Sequence, residues 1–328
     1  MPLSLRRGRV TAIVEEHAEL LRLEVDGEPC VAYPGLTGPV SIDDEVLVNV
    51  QARELGLGSG GFDVLYANLT RGLGLDPVEG AHVMKLPYTP LQSAVVHAEE
   101  AGELAETIDG LPVVCCSLHS QVAPVFAGLG QGFRVAYVQL PGGALPLPLS
   151  DTVRLLRERG LAATTISAGA CFGGEHECVG VASALAWGAA GGYDAVVCAI
   201  GPGIVGTGSR LGHGGLAAAD AANAASALGG SPLLAARVSS ADERERHRGV
   251  SHHTEAVLGL CAGRVTVAWP AGLEAPDWVE PRQEVDVDGW ETACAGLPLS
   301  HMGRGPDEEP WFFAAAFAAG RLARSLVA

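Results

Sequence analysis

Lysine is almost absent from this chain of 328 residues, in which Lys85 stands alone against twenty arginines. Codon bias accounts for such a preference, and it also accounts for the abundance of alanine and glycine. Under that bias, a lysine that persists marks a position where an ammonium group, which can lose its proton, does what a guanidinium cannot. We therefore expect Lys85 to contact a ligand cleft or an interface between domains.

A basic surface is also missing. The formal net charge is −17 at pH 7, with 38 acidic residues against 21 basic ones. Nucleic acids and acidic membranes are bound by clusters of positive charge, so this balance argues against both as partners. The simplest role of the acidity is solubility.

Long apolar runs are missing as well. No apolar segment follows the basic residues near the N-terminus, so no signal peptide is expected. Charged residues such as Asp194, Asp220 and Arg321 interrupt every apolar window of about 18 residues. Eight cysteines without a CxxC pair fit reduced thiols rather than a zinc ribbon or a disulfide framework. We therefore expect a soluble protein of the cytoplasm.

The first hundred residues have the pattern of a small all-β domain. The runs RVTAIVEE, ELLRLEVDG, EPCVAYP and DEVLVNV are separated by turn residues, and Asp26-Gly27 between two alternating runs predicts a tight hairpin. FDVLYANL, HVMKLPYT and QSAVVHAE predict three further strands, and LGLGSGG at 55–61 predicts a connector or a bend. Residues 1–100 are therefore predicted to form a small antiparallel β-barrel or sandwich.

Strand-length apolar runs alternate with helical patterns over residues 101–328. This alternation predicts βαβ units and a mainly parallel sheet with helices on both faces, which is a three-layer, Rossmann-like α/β domain. A C-terminal helix is predicted with Asp307 as its N-cap. The other predicted helices lie at 120–129, 150–159, 175–190, 216–228 and 251–260.

The most distinctive stretch is a strand, YDAVVCAI, followed by the glycine-rich segment GPGIVGTGSRLGHGG and an alanine-rich helix. Backbone amides in such a turn, together with a helix N-terminus, suit an anionic ligand. As a dinucleotide fingerprint the segment is weak, because the helix begins too late after the first glycines. The alternative is that the glycines serve only a wide turn across the sheet edge. The residues predicted to bind an anion are Gly201, Gly203, Gly206, Thr207, Gly208, Ser209 and Arg210.

Polar side chains follow most of the predicted parallel strands at their carboxyl ends, where open α/β sheets bind ligands. His119, His213 and His252 are the predicted acid–base residues or metal ligands at that edge. Ser251 is predicted to cap a helix whose first turn contains His252 and His253. Neighbouring helical positions point about 100° apart, so this pair is not expected to share a metal ion. One histidine of the pair could instead join His119, Glu175 or His213 across the cleft, so whether a metal or another cofactor binds stays open.

Three residues are candidate nucleophiles, namely Ser117, Cys171 and Ser209. Ser209 does not lie in a G-x-S-x-G elbow. Cys171 precedes a predicted helix N-terminus in a glycine-flanked turn, where a lowered thiol pKa is one interpretation and a small residue in a tight loop is the other. The sequence shows no order of serine, histidine and aspartate that predicts a catalytic triad.

Several longer strings resemble a known family. TGPV with DEVLVN, LGLGSGG, HVMKLPYTPLQ, GPGIVGTGS, ERHRGVSHHT and MGRG are similar to the bacterial family catalogued as Domain of Unknown Function 3866, over essentially the whole chain. The resemblance implies no particular activity and assigns no catalytic residue.

The preferred hypothesis is an enzyme that acts on a small anionic or phosphorylated metabolite at the carboxyl edge of the sheet. The alternative is a small-molecule-binding or regulatory module that uses the same cleft without chemistry. A homodimer is expected because two-fold pairs are the commonest assemblies, with the aromatic residues 311–313 packed either in the core or at that interface.

Overall fold

The computed structural model describes residues 3–56, 61–72 and 74–327. Contacts within the chain divide it into two compact units, Met1–Val96 and His97–Ala328. The predicted connector LGLGSGG lies mostly outside the described residues.

The first unit is built from short strands and two short helices. Its described elements are β1 (Leu5–Glu16), β2 (Leu21–Val25), β3 (Glu28–Ala32), α1 (Pro34–Thr37), β4 (Glu45–Asn49), α2 (Gln51–Glu54), β5 (Asp63–Asn68), β6 (Val83–Lys85) and β7 (Ser93–Val95).

Five of these described strands close into a barrel in the order β1–β2–β3–β5–β4, which confirms the predicted barrel. Neighbouring strands run antiparallel except β3 and β5, which run parallel. Asp26 (φ 54°) and Gly27 (φ 80°) form the two-residue turn between β2 and β3, with the positive φ angles that the predicted hairpin needs. Apolar residues such as Leu23 and Val46 fill the barrel. Strands β6 and β7 pair with each other in a separate sheet.

The second unit alternates strands and helices. Its strands are β8 (Pro112–Cys116), β9 (Val135–Leu140), β10 (Thr164–Ala168), β11 (His176–Cys178), β12 (Ala195–Ile200), β13 (Ser231–Ala235), β14 (Val238–Ser239), β15 (Gly249–Val250), β16 (Thr266–Pro270) and β17 (Arg282–Val285). Its helices are α3 (Ala98–Ala101), α4 (Val122–Leu129), α5 (Asp151–Glu158), α6 (Val181–Ala190), α7 (Ala217–Ala227), α8 (His252–Leu260), α9 (Trp290–Ala293) and α10 (Pro310–Val327).

Eight strands of the described chain form one parallel sheet, in the order β11–β10–β9–β12–β8–β13–β16–β17. The predicted parallel α/β domain is thereby confirmed. Strands β12, β8 and β13 are neighbours at the centre of the sheet. Because all strands of this sheet run the same way, the loops that follow these three leave from one edge.

Helices cover both faces of the sheet. Alternate strand residues point to opposite faces, so Val114 and Cys116 pack with α4, α5 and α10, whereas Val113 and Cys115 pack with α6, α7 and α8. A strand buried on both faces is apolar at nearly every position, which explains why the strand patterns of this unit show little alternation.

Two of the predicted helix boundaries are wrong. Residues 175–180 do not begin a helix, because β11 pairs there with β10 and α6 begins only at Val181. Asp307 is not an N-cap, because α10 begins at Pro310 and has no acidic residue in its first turn. The carboxylate of Glu309 is buried and bonded to other segments instead.

Aromatic residues of α10 belong to the core. Phe312 and Phe313 are fully buried, and Trp311 packs partly buried beside them. Of the two positions considered for this group, the structure therefore assigns the core. No helix in the described part of the chain is both long and apolar enough to span a bilayer.

Candidate functional site

The glycine-rich segment after β12 folds back on itself as a small antiparallel ladder. The Gly214 amide donates to the Val205 carbonyl at 2.7 Å, and the Thr207 amide donates to the Gly212 carbonyl at 2.7 Å. Gly206 and His213 are bridge partners in this ladder. The segment therefore fixes the backbone position from which the His213 side chain extends.

Glycine is required here by the close approach of a second loop. A Cβ on Gly214 would lie 1.8 Å from the carbonyl oxygen of Gly142, and a Cβ on Gly142 would lie 2.4 Å from the carbonyl oxygen of Gly214. Gly142 also has φ of +140°, a conformation that other residues rarely adopt. The two loops that follow β9 and β12 thus pack backbone against backbone.

The hydrogen bonds of the segment count against an anion cradle made of its amides. The amides of Val205, Thr207, Gly212 and Gly214 already donate to carbonyls, and the Ser209 amide donates to the Thr207 hydroxyl at 3.2 Å. Arg210 is exposed, and its guanidinium lies over Gly259 of α8. Anion binding by Gly201, Gly203, Gly206, Thr207, Gly208, Ser209 and Arg210 stays a prediction, and turn geometry accounts for much of the glycine content.

Helix α8 presents two histidines at its start. The Ser251 hydroxyl accepts a hydrogen bond from the His253 amide at 3.2 Å, which is the predicted N-cap. The Ser251 amide and the Thr254 hydroxyl bond to the backbone of Arg237, the second residue after β13. These contacts hold the first turn of α8, with His252 and His253, beside the carboxyl end of β13.

Four histidine rings meet at this edge of the sheet, and we call His213, His247, His252 and His253 the histidine cluster. The rings of His213 and His253 stack with centroids 3.7 Å apart, and the His252 centroid lies 4.6 Å from His253 and 5.5 Å from His213. His247 lies 4.8 Å from His252 and 5.0 Å from His253.

One ring nitrogen from each of His213, His252 and His253 lies within 4.8 Å of the other two. The rings of His252 and His253 thus lie close together, and the expectation that this pair does not share a metal ion stays a prediction. Their Cα–Cβ bonds leave the helix in different directions, but two side-chain torsions bring the rings back together over the helix end.

Burial keeps the cluster uncharged at neutral pH. It lowers the pKa of His213 to about 4, of His247 to about 3 and of His253 to about 2, and it lowers the pKa of His252 as well. The Arg237 guanidinium is the next cause for His247 and His253. Neutral imidazoles can accept protons or bind metal ions.

Buried charges lie beside the histidine cluster. The Asp242 carboxylate accepts hydrogen bonds from Arg244 at 2.8 and 2.9 Å, and it lies 3.4 Å from Arg237 and 3.5 Å from Arg304. The Arg244 hydrogen bonds hold the pKa of Asp242 well below its usual range. Arg237 also donates to Nδ1 of His253 at 3.0 Å, which links the charges to the cluster.

The family model described as a protein of unknown function, DUF3866, matches residues 29–320. The chain belongs to the DUF3866 family. No curated protein matches the chain. The resemblance read from strings such as GPGIVGTGS and ERHRGVSHHT is thereby confirmed, and the match extends over the strands and loops that carry the histidine cluster.

His119 of this DUF3866 protein does not join His213 and His252. Its Nδ1 donates to the Ile200 carbonyl at 3.1 Å, and its Nε2 accepts from the Ser150 hydroxyl at 2.7 Å. The same hydroxyl caps α5 by accepting from the Val153 amide. Both ring nitrogens are therefore engaged in tying β8, β12 and α5 together, and the catalytic role predicted for His119 stays untested.

The position of His119 predicts a pH-dependent contribution to stability. Burial lowers its pKa to about 4, below the ordinary value of 6.5, so the unfolded chain binds the proton more tightly. The stability of the wild type should therefore fall, relative to His119→Gln, as the pH drops from 6.5 towards 4, by about 2 kcal/mol at pH 4.5.

Urea unfolding followed by tryptophan fluorescence at pH 7 and pH 4.5 measures this difference. The other histidines titrate in both proteins, so their effects cancel. A gap between wild type and variant that stays constant with pH would show that the imidazole is not held neutral.

The nucleophile candidates are placed less favourably than the histidines. Cys171 is fully buried, and Ser117 is buried with its hydroxyl 3.5 Å from the Gln121 side chain. Ser209 is exposed and bonded to Thr207 at 2.8 Å. Lys85 is buried at the end of β6, and its predicted contact with a cleft or an interface stays a prediction.

His247 and His253 were not assigned roles from the sequence, although the segment around them is dense in charged residues. Their spacing matches no common metal-binding motif. The cluster forms because the loop after β12 places His213 beside His247, His252 and His253, which follow β13. The available signal was that both segments follow strands of one parallel sheet.

Proposed function

We propose that this DUF3866 protein is an enzyme that acts on a small anionic or phosphorylated metabolite at the histidine cluster. The observation that carries the proposal is the convergence of four neutral histidine rings at the carboxyl edge of a parallel sheet, the usual ligand-binding edge of this fold. His213 and His252 are the proposed acid–base residues or metal ligands, because a neutral imidazole can either accept a proton from a substrate or bind a metal ion.

The local charge supports an anionic substrate. The chain carries a net charge of −17, yet the segment 243–248 places arginine at every second position, at Arg244, Arg246 and Arg248. Arg246 is exposed and lies close enough to His252 to lower its pKa. The acidic Asp242 beside them is already bonded to Arg244. Glu255 acts on His252 in the opposite sense, but arginines outnumber it among the charges that act most strongly on this ring, so an anion bound there would meet a net positive charge.

Binding of small anions tests the proposal first. The full chain would be titrated with inorganic phosphate and with small phosphate monoesters and carboxylates, and binding followed by calorimetry. Arg246→Ala should weaken the affinity for an anion that binds by about 10- to 100-fold, because a charge-assisted hydrogen bond contributes about 1.5–3 kcal/mol. Arg264→Ala is the matched control, since Arg264 is also exposed but lies before β16, at the opposite edge of the sheet.

Turnover then separates an enzyme from a binding module. Any phosphorylated compound that binds would be incubated with the protein and followed by phosphorus NMR, with His252→Gln as the comparison. An enzyme converts the compound and loses that conversion, but not binding, in the variant. If the compound is returned unchanged, a regulatory or carrier role is favoured. If Arg246→Ala and Arg264→Ala change the affinity for the anion equally, the anion does not bind at the proposed site.

We also propose that the protein works as a homodimer in the cytoplasm. The support is the general frequency of two-fold pairs and the bulk composition of the chain. Light scattering at micromolar concentration tests the assembly, and a monomer mass would contradict it.

A further inference from the structure

We propose that His213, His252 and His253 form a binding site for a divalent transition metal ion of the zinc type. Ring nitrogens from these three residues lie within 4.8 Å of one another. They come from the loop after β12 and from the first turn of α8, so the arrangement is a product of the tertiary fold and not of one local motif.

Two of the three rings have buried nitrogens without a partner. His213 is 7% exposed, and neither of its ring nitrogens has a hydrogen-bond partner among the described residues. The Arg210 backbone is near enough to affect the pKa of His213 without meeting hydrogen-bond geometry. Nε2 of His252 is likewise buried and unpartnered in the described chain. Buried polar atoms are normally bonded, so this arrangement points to a ligand that these nitrogens share.

The distances require only side-chain adjustment. Zinc–nitrogen bonds are about 2.0–2.1 Å long in tetrahedral sites, which places ligand nitrogens roughly 3.4 Å apart. The stacked rings of His213 and His253 must therefore turn so that both lone pairs face a common point. Such a movement is a rotation about the two side-chain torsions of each buried ring.

Arg237 sets a condition on His253. An imidazole that accepts at Nδ1 carries its proton on Nε2, so His253 becomes a ligand when Arg237 releases Nδ1 or when the ring turns over. Arg237 has a second partner in the Asp242 carboxylate, 3.4 Å away. The charge network can therefore hold the arginine while the histidine binds the metal.

The donor set selects the class of metal. Neutral imidazoles suit zinc, cobalt, nickel and iron, whereas magnesium and calcium prefer oxygen ligands. Three protein ligands leave a coordination position open, as in catalytic zinc sites. A metal held there would polarise a bound anion or activate a water molecule.

Metal titration of the full chain tests the inference. Protein freed of metal with a chelator would be titrated with Co²⁺ and Zn²⁺ by calorimetry, with Mg²⁺ as the comparison, and the ligand-field absorption of Co²⁺ would report its geometry. We expect one tight site for Co²⁺ and Zn²⁺, nitrogen-coordinated by its spectrum, and no comparable Mg²⁺ binding.

Single variants identify the ligands. His213→Ala, His252→Ala and His253→Ala should each weaken metal binding by at least about 100-fold, because even supporting groups around a metal contribute about 10- to 100-fold. His247→Ala should weaken it less than any of these three. His176→Ala is the distant control, since His176 packs on Trp187, and its affinity should be unchanged. Circular dichroism would confirm that each variant folds. Where the alanine variant of a buried histidine does not fold, His252→Gln serves as the test, because His252 is only half-buried.

Two results would overturn the inference: no Co²⁺ or Zn²⁺ binding by the wild type, or binding retained in folded His213 and His252 variants. Binding lost in His247→Ala but kept in His253→Ala would show that the ligand set is wrong. The inference concerns the same site as the proposed function but fails separately. If the protein binds the metal but no anion, the metal site stands and the proposed function is wrong. If it turns over an anion in a way that depends on Arg246 but binds no metal, the proposed function stands and the metal site is wrong.

Discussion

Replacing Asp242 by alanine is expected to destabilise the second unit by about 3–5 kcal/mol, the usual cost of removing one partner from a buried ion pair. Asp242 is 2% exposed and faces Arg237, Arg244 and Arg304. Arg237 is itself buried, and its burial lowers its pKa to about 10. Without Asp242, the Arg237 guanidinium would keep a neutral histidine as its hydrogen-bond partner, and the remaining buried carboxylate near it, Glu309, is already paired with Arg304.

Urea unfolding followed by tryptophan fluorescence measures this effect, since all five tryptophans lie in the second unit. Asp286→Asn is the matched control, because Asp286 is exposed and lies 3.4 Å from Arg321 in a surface pair. Such pairs contribute at most about 1 kcal/mol. If Asp242→Ala costs no more than Asp286→Asn, then Asp242 does not hold the buried arginine in place.

Replacing Gly320 by alanine is expected to destabilise the second unit by about 3 kcal/mol, the upper range for overpacking. Helices α4 and α10 cross with backbone against backbone at Gly128 and Gly320. A Cβ on Gly320 would lie 2.0 Å from the Val125 carbonyl oxygen, and a Cβ on Gly128 would lie 2.3 Å from the Phe317 carbonyl oxygen. Backbone atoms cannot move aside as a side chain can, so the helices must separate and lose contact along their length.

Gly188→Ala in α6 is the matched comparison, because the same substitution is expected to increase the stability of the protein at this position. Its added Cβ would meet Val196 at 3.4 Å, an ordinary contact, so the higher helix propensity of alanine should raise stability by up to about 1 kcal/mol. Urea midpoints of both variants would be compared with the wild type. A Gly320→Ala protein as stable as Gly188→Ala would mean that the two helices do not approach so closely.

Most of the fold could be predicted from the sequence because turn preferences and the hydrophobic pattern of each strand depend on neighbouring residues. The Asp26-Gly27 turn needs residues that tolerate positive φ, and the apolar runs after residue 101 are typical of strands buried on both faces. Boundaries were missed where a partner decides them. Residues 176–178 form a strand because β10 is available to pair with them, and no local propensity predicts that pairing.

The candidate site was predicted only in part, for the same reason. His213 and His252 are predicted because they follow parallel strands, but the glycine pattern of the loop after β12 fits either an anion cradle or a wide turn across the sheet edge. The contact with Gly142, far away in the sequence, decides which conformation the loop adopts. The angle between neighbouring helical positions does not include the reach of a histidine side chain, so it does not predict how closely the rings of His252 and His253 approach.

Anomalous diffraction from crystals of the full chain grown with Zn²⁺ tests the central claim most directly, which is that the histidine cluster converges on a shared ligand. Data collected above and below the zinc absorption edge would locate the ion without assumptions about its ligands. The account predicts an anomalous peak about 2.0–2.1 Å from ring nitrogens of His213, His252 and His253. No zinc at the cluster, with the three rings bonded instead to other protein groups, would contradict it.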